Sequence, residues 1–528
     1  MGATDDAVPK FSATEGMLSD DDRTALTALG IELSEDPDNR LMREMSAIYA
    51  TLTMVSDRLC VSYPESARPS FLVSKILQMF NITPVSLGNE AKTAAILPLF
   101  ELAVTSESTG ADEWAVAAKE YFDESGVMKE KFEAVKRASH MPRGRLSQMA
   151  AEKLYSREIN TTASRVDKFY SCKFSFFLQY GLKAKPRNKA GFDAPEVGTF
   201  LHYLLEKVTK EASDKGGFSK LDDEEIKTLT RKYVERYAEE VLEGFKDKTG
   251  RFKYLFYRLV KDAEKIVLDM AAELRNSHFQ PIDFELDFSG GGDLPPAEVS
   301  DEDVTVKING RVDRVDGWVH GDKLYLRVVD YKTGKKEFSL SDVVDGLGIQ
   351  MLVYLFALEN GGKERYGKEI VPAGVLYAPA RDEIISAKKG MSDDEIRKEK
   401  EKALKRKGLI LMDGDVIRAM EDSDSPKYIP VKMYKNGTMD LSSAAPLEQF
   451  GKLKKHIEKV LLEMGKEIRG GGIDADPYYR GVKDIACTYC DYFEACHFDE
   501  KCGDKMRRLK TIKNPEAWER IEWSVKDD

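Results

Sequence analysis

Cysteine is scarce, with six in 528 residues, too few for the disulfide framework of a secreted scaffold. Nothing approaches the ~18 consecutive apolar residues of a membrane span. The N-terminus, MGATDDAVPK, lacks the charged and apolar regions of a signal peptide, so it reads as a cytoplasmic chain. Positive charge is not in excess either: Lys plus Arg number 81 against 92 Asp plus Glu, a net charge of −11. That excludes a coat of non-specific basic binding, while a local basic groove stays open. No G-x-x-x-x-G-K-[ST] phosphate cradle occurs, so ATP hydrolysis by this chain is not expected. The length allows two to four domains at ~100–200 residues each.

What is present centres on residues 310–332, GRVDRVDGWVHGDKLYLRVVDYK. Two strand-like runs flank a turn rich in Gly, His and Asp. In the second run Leu324, Leu326, Val328, Asp330 and Lys332 share one face by the period-2 rule. A bare carboxylate at the end of that apolar stripe is costly. Arg311, Asp313 and Val315 alternate likewise, so Asp313 can meet Asp330 across neighbouring strands. Asp316 falls on the opposite face or in the turn. Two carboxylates and one lysine at a sheet edge suit a hard divalent cation and an attacking water. A lone Asp-x-Lys is also what a salt-bridged surface strand produces, so its neighbours in the chain decide.

The pattern predicts helices over 19–30, 37–57 and 68–80, with a short β-rich run at 58–64. Residues 90–160 read as a mostly helical connector. An aromatic-striped helix over 161–182 carries Phe169, Tyr170, Phe174, Phe176, Phe177 and Tyr180, with Cys172 among them. Helices follow at 196–210 and 222–276, then strands at 282–288, 303–318 and 323–331. A helix at 341–360 precedes a strand at 370–378. The segment 381–410 reads as a charge-dense helix, ordinarily a solvated face. Residues 445–469 are helical and 470–477 form a turn.

Upstream, EVGTFLHYLLEKV (196–208) sets His202 among Leu201, Leu204 and Leu205. Downstream, GIQMLVYLFALE (348–359) puts Gln350 and Tyr354 at i and i+4, on one helix face. Singly, each of these residues is ordinary. Together, G-T-x-L-H, G-R-x-D-R-x-D, V-V-D-Y-K-T-G and Q-x-x-x-Y follow one another in an order and spacing that resembles the PD-(D/E)XK nucleases, in their RecB-like branch. The resemblance implies an α/β, restriction-endonuclease-like core with flanking helices. It implies that Asp313 and Asp330 bind Mg²⁺ or Mn²⁺, aided by His202 and the carbonyl oxygen of Tyr331. Lys332 would orient or deprotonate the attacking water, and Gln350 and Tyr354 would position the DNA backbone or the lysine. The side chain of Tyr331, between Asp330 and Lys332, cannot be a ligand.

Near the C-terminus, C-T-Y-C-D-Y-F-E-A-C (487–496) gives C-x₂-C-x₅-C, a strong metal signal. A local fourth ligand, Cys502 or His497, would build a tetrahedral zinc site. A distant one, Cys172, would build a [4Fe–4S] cluster. The stretch S-R-V-D-K-F-Y-S-C-K-F-S-F-F (164–177) is similar to a motif of the B subunits of AddAB-type helicase–nucleases, with Lys173 where the family commonly has Pro. There one early cysteine joins a late C-x₂-C-x₅-C around an iron–sulfur cluster. The resemblance thus implies Cys172, Cys487, Cys490 and Cys496 as cluster ligands, leaving Cys60 and Cys502 spare. Such a staple would remove unfolded-chain entropy worth ~5–6 kcal/mol, by analogy with a disulfide loop.

The N-terminal stretches GATDDAVPKFSATEGMLSDDDR and YATLTMVSDRLCVSYP also resemble segments near the last motif of a superfamily 1, UvrD-like helicase. Residues 1–85 are therefore expected to be a partial helicase remnant, 86–160 a connector and 161–528 the nuclease domain. The chain is expected to be the C-terminal part of a longer protein, or one half of a split one. The family implies DNA as substrate, the 5′-ended strand as target and an AddA-type motor subunit as partner, with no membrane. Rival readings are a stand-alone single-strand exonuclease and a DNA-binding scaffold with an idle site.

Overall fold

A computed structural model describes the chain except residues 1, 6, 10–17, 19, 32, 34–36, 106–111, 140–142, 186–193, 242–249, 335–336, 382–390, 424, 434–438, 441, 501–502 and 527–528. It divides into two compact units, Met1–Met141 with Asp247–Leu255, and Pro142–Lys246 with Phe256–Asp528. No helix among the described residues is long and apolar enough to cross a membrane.

The first unit is helical: α1 (Asp20–Ala28), α2 (Pro37–Thr53), α3 (Phe71–Phe80), α4 (Asn89–Thr93), α5 (Ile96–Thr105), α6 (Glu113–Ser125) and α7 (Lys129–Ser139). The run 58–64, expected as β-rich, forms no strand. In the α5–α7 layer Leu102, Ala103, Ala115, Ala118, Phe122 and Phe132 close a small core.

The second unit is built on one mixed sheet. Its strands are β1 (Glu158–Thr162), β2 (Gln280–Phe288), β3 (Ala297–Ser300), β4 (Thr305–His320), β5 (Lys323–Lys332), β6 (Glu369–Pro379) and β7 (Lys407–Leu411). The order is β1-β4-β5-β6-β7, ending on a two-residue strand Ala444–Ala445, with β2 and β3 also paired to β4. The β4–β5 hairpin turns at Gly321 and Asp322, between paired His320 and Lys323. Gly321 has φ +59, as such two-residue turns require. β5 and β6 run parallel, so a crossover must join them.

That crossover contains α14 (Leu340–Val344) and α15 (Gln350–Tyr366). Met351, Leu352, Val353, Tyr354, Leu355, Phe356 and Leu358 of α15 are all buried. A helix apolar on every side must lie inside the protein, each such side chain contributing ~1.5–3 kcal/mol by leaving water. The remaining α-helices are α8 (Gln148–Tyr155), α9 (Ala163–Ser171), α10 (Lys173–Phe176), α11 (Ala194–Asp214), α12 (Asp223–Glu240), α13 (Gly250–Arg275, of which the residues up to Leu255 belong to the first unit), α16 (Asp393–Leu404), α17 (Gly414–Met420), α18 (Leu447–Arg469), α19 (Phe493–Cys496) and α20 (Asn514–Ser524). α12 starts on a capping box in which Asp222 and Glu225 satisfy each other's backbone N–H.

Further expectations need correction. The single helix expected over 341–360 is two, α14 and α15. The helix read over 161–182 is interrupted: Thr161 and Thr162 close β1, and Cys172 stands extended (φ −168, ψ 121) between α9 and α10. The break is stabilised from the 470–477 turn, because Lys173 N–H donates to Asp476 Oδ1 (2.8 Å) and Phe174 N–H to the Asp474 carbonyl (2.9 Å). The charge-dense segment 381–410 is helical only over α16, and its end is strand β7; residues 382–390 lie outside the described residues.

Candidate active site

Asp313 lies on β4 and Asp330 on β5, and the register pairs Arg314 with Val329, so the two aspartates are neighbours across the hairpin. The Tyr331 backbone N–H donates to Asp313 Oδ2 at 2.8 Å. Asp330 is only 8 % exposed, and burial, reinforced by Asp313, pushes its carboxyl up to about 6 against the pull of Lys332. Lys332 Nζ stands 2.5 Å from Asp330 Oδ2. The buried carboxylate is thus held by the ammonium of the same strand.

α11 brings His202 to the same edge. Its Nδ1 is 3.3 Å from Asp313 Oδ1 and its Nε2 is 3.2 Å from the Tyr331 carbonyl oxygen. Burial lowers the imidazole pKa, but Asp313, Asp330 and Glu285 outweigh it and the net shift is upward. From α15, Tyr354 stacks on Phe288 (ring centroids 5.4 Å, 17° between planes). Gln350 lies beside its hydroxyl, which burial pushes up to about 12. A Cβ on Gly310 would collide with the Tyr354 hydroxyl. The glycine of G-R-x-D and the tyrosine of Q-x-x-x-Y are therefore fitted to one another. All the residues singled out at 202, 313, 330–332, 350 and 354 converge on this edge of the sheet.

One residue of the site was missed. Glu285, on β2, joins His202 and Asp313 in a group whose ligand atoms all lie within 4.8 Å of one another. Asp283, Glu285 and Asp287 alternate on β2, and nothing in the letters distinguishes the middle one. Glu285 has φ +49, a left-handed backbone that non-glycine residues adopt where the surroundings enforce it. Burial and then Asp313 raise its pKa. Two carboxylates and an imidazole in partial burial fit a hard divalent cation by donor chemistry, and Asp330 lies beside Asp313 but outside that group.

Beneath the hairpin, on the opposite face, lies a buried ionic cluster. Asp316 is completely buried, as its position opposite Asp313 implies. Its oxygens lie 2.8 Å from Arg314 Nε and 2.8 Å from Arg327 Nε. Glu273 of α13 takes Arg327 at 3.1 Å and Arg406 at 2.7 Å, and Arg406 reaches Asp269 at 2.6 Å. Arg314 also donates to the Tyr331 hydroxyl at 2.8 Å. The residue between Asp330 and Lys332 is thus anchored on the far side of the sheet.

The cysteines gather elsewhere in the unit. Cys172, Cys487, Cys490 and Cys496 line one cavity with Phe174, Tyr492 and Phe493. All four are free thiols, and burial raises Cys172 to about 11. Arg143 donates to the Cys496 carbonyl at 2.6 Å, approaches its sulfur at 3.7 Å, and is held by Asp504. Among the described residues no three of these sulfurs lie within 4.8 Å of one another. They are not drawn together as around a single zinc ion with ~2.3 Å bonds. Lys173, where proline was expected, pairs with Asp476 and Glu467 at 3.4 Å each. His497 closes the helical turn Phe493–Cys496. Cys60 is exposed in the first unit, and Cys502 lies outside the described residues.

A mixed sheet carrying two aspartates and a lysine on adjacent strands, with a histidine and a glutamine–tyrosine helix over them, defines a nuclease-type α/β core. The chain belongs to the PD-(D/E)XK nuclease superfamily, whose sequence model matches residues 160–497. It is 33% identical over 548 residues to the B subunit of the ATP-dependent helicase/deoxyribonuclease of Clostridium novyi (strain NT), covering 98% of this chain and 48% of that one. The proteins of the same name from Thermoanaerobacter sp. (strain X514) and Clostridium acetobutylicum are 32% and 31% identical, each covering 100% of this chain and 48% of the relative. The chain spans about half the length of the curated relatives it matches.

Proposed function

We propose that this chain is the nuclease part of the B subunit of an ATP-dependent helicase–nuclease, hydrolysing DNA phosphodiesters with Mg²⁺ or Mn²⁺. The observation that carries this reading is the convergence of His202, Glu285, Asp313, Asp330 and Lys332 at one sheet edge. The name of the relatives supports the wider assembly, since a B subunit implies a partner. That partner would be an AddA-type motor subunit, and the target the 5′-ended strand at double-strand breaks during recombinational repair. Residues 1–85 would be the partial helicase remnant and 86–160 the connector.

Asp313, Asp330, His202 and the Tyr331 carbonyl would hold the ion, with Glu285 as a further ligand. When bound, the ion supplies Lewis-acid activation of water and phosphate. Lys332, tethered to Asp330, orients the attacking water and offsets the charge that develops on the phosphate oxygens. Gln350 and Tyr354, fixed by Phe288 and Gly310, position the backbone of the strand or the lysine. The test is cleavage of single-stranded DNA by this chain, alone and with an A-type subunit. Activity should vanish on chelation and return with Mg²⁺ or Mn²⁺. Persistence of cleavage in the chelator would refute a metal-dependent site.

Glu285→Gln removes one negative charge while keeping the side chain's size. The expected result is a ~10–100-fold weaker affinity for added metal, measured as the Mg²⁺ concentration giving half-maximal cleavage. An unchanged metal requirement would remove Glu285 from the site.

For the cysteines, the proposal is a [4Fe–4S] cluster held by Cys172, Cys487, Cys490 and Cys496. What supports it is that the four cysteines line one cavity, together with the resemblance of the 164–177 and 487–496 stretches. Cys172→Ala should lose a broad brown absorbance near ~400 nm. Retention of metal by that variant, with zinc as the metal, would contradict the staple.

A further inference from the structure

Beside β1 and α9 the second unit contains a cavity of about 530 Å³ that the nuclease site does not use. Arg165, Lys183 and Lys185 line it, and none of its described lining residues is acidic. In a chain of net charge −11 such a concentration of cations without carboxylates is unexpected. None of the three has an ion-pair partner among the described residues. Lys183 is held at φ +57, and its neighbour Ala184 is tied by its carbonyl to the Tyr492 hydroxyl at 2.7 Å.

Four of the other lining residues, Tyr155, Phe176, Tyr180 and Tyr492, are aromatic. Tyr155 stacks on Phe176 at 5.8 Å and Phe176 meets Tyr180 at 5.3 Å. The Arg165 guanidinium lies 4.8 Å from the centre of the Tyr180 ring. Thr161, 3 % exposed, is among the lining residues. Cations for phosphates and ring faces for bases are the components of a single-strand binding groove. The volume lies within the ~300–1,000 Å³ of small-ligand sites, enough for one nucleotide unit.

We propose that this cavity is a subsite for single-stranded DNA, its cations on the backbone and its rings against a base. The inference rests on the nuclease reading for its choice of ligand and deepens it. Thr161 pairs with Ile308 of β4, five residues before Asp313, or roughly 17 Å along the strand at ~3.3 Å per residue. A DNA strand gripped here is held a short distance from the carboxylates, so the grip acts on binding and not on the chemical step.

The test uses the full chain carrying Asp330→Ala, in chelator, with fluorescently labelled oligothymidylate over a salt series. Adding Arg165→Gln and Lys183→Gln together should weaken binding about tenfold. The same pair should flatten the slope of log affinity against log salt by ~0.7 for each phosphate no longer neutralised. Tyr180→Leu should erase any preference for oligothymidylate over an abasic strand of equal length. Removing the same charge from α16, by Arg397→Gln with Lys398→Gln, should change neither. Unchanged affinity and slope in the cavity variant, or an equal loss from α16, overturns the subsite. Cleavage with Mg²⁺ is measured in parallel on chains retaining Asp330. Wild-type cleavage with unaltered binding in the cavity variant overturns the subsite alone. Altered binding in a chain that never cuts overturns the catalytic reading alone.

Discussion

Lys332→Ala is expected to bind DNA as wild type does and to cleave it ~10²–10³-fold more slowly, the usual loss when a group that stabilises transition-state charge is removed. Lys332 ends β5 with its ammonium 2.5 Å from Asp330 and 5.9 Å from the Tyr377 ring centre. Its side chain is 31 % exposed, so truncation leaves no large cavity and the sheet should survive. What is removed is a positive charge at the place where a phosphate would gain negative charge. Binding is read by anisotropy and cleavage by end-labelled product. Lost binding with intact chemistry would contradict the role given to the lysine.

The second large effect is on stability. Glu273→Gln is expected to destabilise the second unit by ~3–5 kcal/mol, because it leaves buried guanidinium groups short of a counter-charge. Glu273 is 2 % exposed and touches Arg314, Arg327 and Arg406. Burial alone would raise its pKa, but the arginines outweigh burial and hold it at about 2. A depressed folded-state pKa contributes stability above the unfolded value, here 4.5, and that contribution is lost as pH falls towards 2. Wild type should therefore lose denaturant resistance through this window, and Glu273→Gln should lose less of it. Equal midpoints for the two proteins at neutral pH would contradict the role assigned to the cluster.

Some of this was legible in the sequence because it is local. The period-2 stripe ending in Asp330 and Lys332, and the i,i+4 pair Gln350 and Tyr354, need only a strand and a helix to be read. Asp316 was expected on the opposite face or in the turn, and the strand continues past it to His320, which leaves it on the opposite face. Its partners were not legible, since Glu273 and Arg406 arrive from distant elements of the chain. Glu285 was hidden because three acids alternate on β2 and only a left-handed backbone at one of them sets it apart. The break at Cys172 was hidden for a related reason. An aromatic stripe reads as one helix, and the acceptors that begin α10 come from Asp474 and Asp476, far along the chain.

The most direct measurement of the central claim is cleavage of end-labelled single-stranded DNA with Mg²⁺ by wild type beside Asp330→Ala. The account predicts products from wild type and none from the variant, with the A-type subunit supplied if the chain is silent alone. Equal cleavage by both proteins would contradict it.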